Sequence, residues 1–594
     1  MKYQLVKPIN ENFSAIEQIL YNRNINNPKE YLNTTDENIN SFLLFGEDKL
    51  KAAATALIKC IKEDKDTILV IDSDCDGFTS SAVLANYLYD LFPSWVLNHL
   101  DWFMHEGKQH GLSDFPMEEA DKYSLFLIPD AGSNDYEYHK QLADMGKDII
   151  ILDHHEASHI SEDAIVINNQ LSDYPNKQMS GVGVVWQFCR YLDSLMGLNK
   201  ADEYLDLVAL GMDADMMSMT SLETKHLINK GLQQVKNPFF FAMVEKNSYS
   251  MKEKVTPFTV AFYVAPYVNA IVRSGTQEEK ELIFNSMLNF KAFDKIPSNK
   301  RGCKPGETME SLFIQAVRTA TNVKNRQTRA QNAGIELLES IIKKYRLLDN
   351  KVLLILLEPG QIDKNIAGLV ANKFMAKYQK PCCILTKVDD NGEISYQGSA
   401  RGCDKTGIVN FKEICEQTGC IMYAEGHQGA FGLGIHSYTV GKDEECSGDL
   451  IFQFLNRTNE MLQDVSDEAI YYVDYIYQGA NVNPDHILEI AEFDNLWGKD
   501  MDEPFIAIKN LKVTQDMVTL MSPDKKPTLK ITLPNKISII KFNSSQEEYD
   551  MFAKGGYVEI DLIGKCNANK WGNSVYPQII TEAYEVVDRA KYIF

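Results

Sequence analysis

Between residue 66 and about residue 225 the chain alternates short, unbroken apolar runs with stretches of helical periodicity, as at 79–91. The runs Thr67–Ile71 (TILVI), 125–128 (LFLI) and 148–152 (DIIIL) are strand-length, and each leads into an acidic residue. Unbroken apolar strands are covered on both faces, and their alternation with helices predicts an α/β domain with a parallel, doubly wound sheet. Reactive groups of such sheets gather just past the carboxyl ends of the strands, which is where these acids fall. Residues 1–65 read as helical segments packed on this 66–225 domain, and 226–350 as a helical connector. A second α/β unit occupies 351–445, with a strand at 352–357, a helix at 365–378 and a strand at 381–385. A charged helical linker is expected over 446–490. The tail, 491–594, carries β-type runs at 505–513, 528–533, 536–542 and 557–566 with turn residues between them, the pattern of a small β-barrel.

A chain of 594 residues is too long for one core, so three or four domains are expected. Nothing near 18 consecutive apolar residues appears and the start lacks the order of a signal peptide, so the expectation is a cytoplasmic protein with no membrane partner. The 11 cysteines are odd in number and scattered, without a C-x-x-C pair, which indicates neither a zinc site nor a disulfide framework. A net charge of −23 runs against a nucleic-acid partner. It is reversed locally over 291–329, where Lys291, Lys295, Lys300, Arg301, Lys304, Arg318, Lys324, Arg326 and Arg329 face only Asp294, Glu307 and Glu310. A solvated face and a phosphate-tracking surface explain that reversal equally well.

The strongest local signal is Asp72-Ser73-Asp74-Cys75-Asp76-Gly77, directly after TILVI. Three carboxylates at alternate positions in the turn leaving a buried strand repel one another unless cations neutralise them, and oxygen ligands favour magnesium or manganese. The EF-hand alternative lacks its closing glutamate. Asp130, in Pro129-Asp130-Ala131-Gly132, stands at a second strand end, and Asp153-His154-His155-Glu156 at a third. Of Asp213 and Asp215, two apart on a helix, at most one can join such a cluster; Asp215 is the choice. Acids and imidazoles converging on one sheet edge suit a pair of divalent ions clamping a phosphoryl group.

These elements, in this order, resemble the four motifs of DHH phosphoesterases, and their flanks resemble the RecJ single-strand DNA exonucleases. Asn168-Asn169-Gln170 with Ser180-Gly181-Val182-Gly183-Val184 is similar to the RecJ stretch after Asp-His-His. Ala265-Pro266, Asn269-Ala270 and Arg273 are similar to its connecting helices, as is Asn325-Arg326-Gln327. The 351–445 unit resembles the DHHA1 domain: Ile366–Ala371 in its helix, Gly398-Ser399-Ala400-Arg401 in its phosphate-contacting turn, and Glu425-Gly426-His427-Gln428-Gly429-Ala430-Phe431-Gly432 in its Gly-Gly-His loop. The tail, through Ala507, Ile560-Asp561-Leu562-Ile563 and Asn569-Lys570-Trp571-Gly572-Asn573, is similar to the family's OB-fold. The chain departs from the pattern at Glu425, where a glycine is usual, at Met212 and Asp213, and over 103–112. There His105 and Gln109-His110-Gly111-Leu112 replace an arginine and Gly-Tyr-Gly-Leu, with Lys108 as a substitute cation.

The resemblance implies a 5′→3′ exonuclease on single-stranded DNA that releases 5′-mononucleotides. Asp72, Asp74, Asp76, Asp130, His154 and Asp215 are its candidate ligands for two Mn²⁺ or Mg²⁺ ions, with Asp72 the weakest of the set. Asp153 would orient His154, and His155 would contact the scissile phosphate. Ser399, Arg401, Gly426, His427 and Gly432 would hold the 5′ phosphate, while Arg273 and Arg326 would track the strand. Single-strand binding protein or a helicase is the protein partner such a nuclease implies. The alternatives are the same site acting on short oligonucleotides, cyclic dinucleotides or polyphosphate, and a non-catalytic replication scaffold.

Overall fold

The apolar runs form the strands their composition predicts. In the computed structural model, which describes residues 1–594 except 108, 305, 409, 440–447, 466–469, 523–525, 554, 555, 573 and 591–594, the chain divides into two compact units. One comprises 13–325 with 492–503, the other 1–12, 326–491 and 504–594. Lys108 and Asn573 lie outside the described residues.

The first unit is built on a five-stranded, all-parallel sheet in the order Leu100–Met104, Thr67–Ile71, Leu125–Pro129, Asp148–Asp153, Ile165–Asn168. Every residue of Thr67–Ile71 and Leu125–Pro129 is buried. Burying each large aliphatic side chain contributes roughly 1.5–3 kcal/mol, so these central strands carry a large share of the unit's core stability. Two strands lacked a sequence signal: Leu100–Met104 is an edge strand interrupted by Asp101, and Ile165–Asn168 spans only four residues. The helices Cys75–Leu91, Gly181–Met196 and Leu205–Ala214 pack together beside the sheet, and a small antiparallel hairpin, Lys295–Pro297 with Met309–Ser311, interrupts the helical connector.

The second unit holds a five-stranded mixed sheet in the order Tyr423–His427, Ala430–His436, Glu393–Arg401, Cys382–Asp390, Leu353–Leu357. The helix Lys364–Tyr378 packs against it. A seven-stranded sheet follows, ordered Tyr475–Gln478, Phe505–Thr514, Tyr557–Trp571, Ser574–Ala590, Ser538–Lys541, Thr528–Thr532, Val518–Met521. Its edge strand Val518–Met521 follows Phe505–Thr514 across one 3-10 turn, Gln515–Met517, and a helix, Gln546–Ala553, precedes Tyr557–Trp571. That circuit is consistent with a five-stranded Greek-key barrel of the OB type.

Two expectations change. The segment expected to be a helical linker contains the strands Ile470–Val473 and Tyr475–Gln478 as well as the helices Leu450–Met461 and Pro484–Glu492. Its run IYYVDYIYQ is dense in β-branched and aromatic residues, and that preference prevails over the charged flanks. The N-terminal segment opens not with a helix but with the strand Lys2–Leu5, paired in parallel with Ile470–Val473.

Candidate metal centre

Each motif acid hangs from the end of a buried element. Asp72 follows Thr67–Ile71, Asp74 caps the helix Cys75–Leu91, and Asp76 sits in that helix's first turn. Asp130 leaves Leu125–Pro129 with φ at +69°, a left-handed conformation that aspartate tolerates better than most residues. Asp153 ends the strand Asp148–Asp153, and Asp215 is the C-cap of Leu205–Ala214.

These groups converge. His154 Nε2 lies 3.3 Å from Asp130 Oδ1 and 3.5 Å from Asp215 Oδ2. Three sets of donor atoms, each mutually within 4.8 Å, share members: Asp130, Asp153, His154 and His155; Asp76, His154 and Asp215; Asp72, Asp74 and Asp130. Two glycines allow this approach. A Cβ on Gly181 would stand 2.2 Å from Asp130 Oδ1, and one on Gly211 would stand 2.4 Å from Asp76 Oδ1. Sequence reading gave neither glycine a role in the site.

The carboxylates fall into two kinds. Asp153 is saturated: Oδ2 accepts the Ser133 N–H at 3.0 Å, and Oδ1 accepts the N–H groups of His154 and His155 and bonds His155 Nδ1 at 2.8 Å. It thus orients the His155 ring rather than that of His154, a correction to the expected pairing. Asp72 is similarly engaged, with Oδ1 accepting the Gly111 N–H at 3.3 Å and Oδ2 bonding His110 Nδ1 at 2.8 Å. By contrast, Asp76 Oδ2 and Asp130 Oδ1 are buried and make no well-formed hydrogen bond, although the two carboxyls stand against each other and Asp130 Oδ1 lies 3.3 Å from His154 Nε2. Leaving a buried carboxylate oxygen unpaired is costly, and a hard divalent cation is the partner that all-oxygen and imidazole donors suit. The residues present therefore fit such an ion.

Proton affinities follow the same division. Burial, then the charges of Asp76 and Asp74, raise Asp130 well above the carboxylate range. Burial pushes Asp76 up to about 6, and burial with the charges of Asp76 and Asp74 pushes Asp215 up to about 8. Burial also opposes ionisation of Asp153, yet the His155 hydrogen bond and charge outweigh it and hold Asp153 low. For His155, burial is outweighed by Asp153, which pushes the imidazole up to about 9. Burial, with His155 beside it, lowers His154 to about 4 and keeps it neutral, as a ligand must be. Arg273 lies close enough for Asp74 to favour its charge, against burial that lowers it. Asp213 is buried on Leu205–Ala214 with Oδ2 unpaired and is not in the cluster.

In the other unit, Arg401 is paired with Ala430 and that residue with His427, and Ser399 is paired with Gly432 and that with Glu425. Directly opposite residues share a sheet face, so Ser399, Arg401, His427 and the atypical Glu425 are presented together. Gly368, on the helix Lys364–Tyr378, lets Arg401 and Ser399 tuck in: a Cβ there would stand 2.5 Å from Arg401 Nη2 and 3.2 Å from Ser399 Oγ. Gly426, at φ +124°, turns the strand end with His427 exposed. Arg326 is exposed on the helix Leu312–Lys344. No helix among the described residues is long and apolar enough to cross a membrane.

Residues 66–212 match the N-terminal domain of the DHH family. YorK of Bacillus subtilis strain 168, a prophage-derived protein provisionally named a single-strand DNA-specific exonuclease, is 33% identical over 99% of this chain and 98% of its own. The single-stranded-DNA-specific exonuclease RecJ of the same organism is 24% identical over 89% of this chain and 62% of its own. The crystal structure of Thermus thermophilus RecJ in complex with Mn²⁺ covers 97% of this chain and 76% of its own, with a TM-score of 0.67 at 18% identity, and thus shares the fold. A second structure of that protein, in complex with Mg²⁺, aligns with a TM-score of 0.62. With its motif acids converging on one sheet edge and a full-length relative at this identity, the chain belongs to the DHH family, among its RecJ-like members.

Proposed function

We propose that this protein is a metal-dependent 5′→3′ exonuclease that removes 5′-mononucleotides from single-stranded DNA in the cytoplasm. The observation that carries the reading is the burial of Asp76 and Asp130 against each other, with oxygens that make no well-formed hydrogen bond, beside an Asp153–His155 pair already held in place. Asp74, Asp76, Asp130, His154 and Asp215 would hold two divalent ions, Mn²⁺ or Mg²⁺, with Asp72 contributing through the oxygen lone pairs that His110 and Gly111 leave. When bound, the ions supply a nucleophile at neutral pH and offset charge on the phosphoryl group.

The chain's own groups do the rest. His155, protonated at neutral pH through Asp153, donates to a non-bridging oxygen of the scissile phosphate and stabilises the charge that builds there. Arg273, beside Asp74, holds the adjoining phosphate. Arg401, Ser399 and His427, with the backbone at Gly426 and Gly432, anchor the 5′-terminal phosphate, and Arg326 contacts the strand further along. The relatives named for single-strand DNA-specific exonuclease activity support the same substrate.

The test is 5′-labelled and 3′-labelled single strands and duplex incubated with and without manganese. Manganese-dependent release of labelled mononucleotide from the 5′ end of the single strand is expected. Hydrolysis of a dinucleotide with none of the long strand would instead assign the site to short substrates.

A further inference from the structure

The basic stretch at 291–310 becomes a shaped surface once folded. Its base is fixed to the parallel-sheet unit: the Asn86 amide donates to the Met287 carbonyl at 3.0 Å and accepts the Asn289 N–H at 2.7 Å. Phe290 stacks on Tyr89 with ring centroids 4.0 Å apart, and Lys291 Nζ lies 4.2 Å from the centre of the Trp102 ring. From this base rises the hairpin Lys295–Pro297 and Met309–Ser311, registered Lys295 to Ser311, Ile296 to Glu310 and Pro297 to Met309.

Opposite residues of a hairpin share a face, so the hairpin has two distinct sides. On one, Glu310 is gripped by Arg318 of the following helix, which also bonds Asn299 Oδ1 at 2.7 Å. That side is closed. The other presents Lys295, Pro297 and Met309, with Met309 51% exposed, and Phe293 at the hairpin's foot is 63% exposed. The connecting loop carries Lys300, Arg301 and Lys304. Lys304 pairs with Glu307 at 3.2 Å; Lys300 lies near enough to Glu310 to favour its ionised form, yet neither Lys300 nor Arg301 is within salt-bridge distance of a carboxylate among the described residues. In residues 291–310 five cations stand against three acids, within a chain of net charge −23.

The geometry points to this hairpin as a nucleic-acid-binding surface separate from the metal centre. Lys300 and Arg301 neutralise backbone phosphates, and Phe293 and Met309 offer apolar contact to unstacked bases. Cations interleaved with exposed apolar side chains are the combination single strands need, and a polyanion is the occupant whose charge complements a cationic projection on an acidic protein. These base contacts hold the root of the hairpin in place before the strand arrives. This inference rests on the proposed reading of the protein as a single-strand nuclease, and supplies the contact beyond the cleavage site that favours long strands over short ones.

The experiment compares the full-length protein with K300E/R301E and F293A. Binding to a fluorescent oligothymidylate is followed over a range of salt with metal chelated, and hydrolysis of a dinucleotide is measured with manganese. For K300E/R301E, affinity for the long strand falls about tenfold or more. The slope of log affinity against log salt flattens by about 1.4, at about 0.7 for each phosphate no longer neutralised, while dinucleotide turnover is unchanged. F293A weakens binding with no change of slope. An unchanged affinity and slope in K300E/R301E overturns the proposal. Binding without any dinucleotide or long-strand hydrolysis in the wild type overturns the nuclease reading and leaves the hairpin result standing. A loss of dinucleotide turnover in K300E/R301E equal to the loss of long-strand binding also overturns it, because the effect then passes through the metal centre.

Discussion

The strand-end cluster and the glycine-rich edge of the second unit both carry charged side chains, but they achieve it by opposite means. In the cluster, carboxylates are buried against one another, two oxygens make no well-formed hydrogen bond, and proton affinity rises accordingly. At the glycine-rich edge, Arg401 bonds the Ala400 carbonyl at 2.6 Å and His427 stays exposed. The first arrangement is unfavourable until a cation enters. The second is satisfied as it stands and, on the proposed reading, would lend a phosphate only modest stabilisation. Chemistry should therefore depend steeply on the first region and gently on the second.

The largest effect expected from that contrast is at Asp130. D130A should lower manganese-dependent hydrolysis by about a hundredfold to a thousandfold, the range seen when a preorganised electrostatic group is removed. Manganese should also cease to raise the thermal midpoint of this variant; a retained shift would show that Asp130 is not a ligand. Next in size is His110, bonded to Asp72 across 38 residues of sequence. H110A should reduce activity or manganese affinity by roughly 10–100-fold, as loss of a group orienting a ligand does. R401A, in the gentler region, should raise KM for 5′-phosphorylated strands about tenfold, leave kcat near wild type, and have no effect on strands lacking that phosphate. A kcat loss without a KM change would place Arg401 elsewhere.

The smallest effect is on stability. Asp76 and Asp215 take up protons in the folded, metal-free protein at about 6 and about 8, above ordinary carboxylates, so folding binds protons over that range. A raised carboxyl contributes stability that is present at low pH and is lost as pH rises through its folded value. Calorimetry of the metal-free protein should show a midpoint falling by a few degrees between about pH 5 and about pH 8, and manganese should reverse the fall. A midpoint flat in pH would mean that the acids ionise freely.

The strand-end acids were legible because four or more consecutive apolar residues leading into an aspartate admit few structural interpretations. Other features were not, since their partners are remote. His110 stands out in sequence only as a departure at 109–112, and nothing local connects it to Asp72. Gly181 and Gly211 are needed because of oxygens on Asp130 and Asp76, far away in the chain. Asp153 was matched to the wrong ring because adjacency in sequence does not reveal which imidazole can swing back to its own carboxylate. The tyrosine-rich strands near 470–478 were hidden by charged neighbours, although their propensity was plain to read.

The pairing of Lys2–Leu5 with Ile470–Val473 also sets an order of events during synthesis. At the usual pace of about 5–20 residues per second, the opening strand must wait at least about 20 seconds after it leaves the ribosome for its neighbour to be made. Meanwhile every acid from Asp72 to Asp215 has already been translated, so the sheet that carries them can form early, although its unit is completed only when residues 492–503 follow.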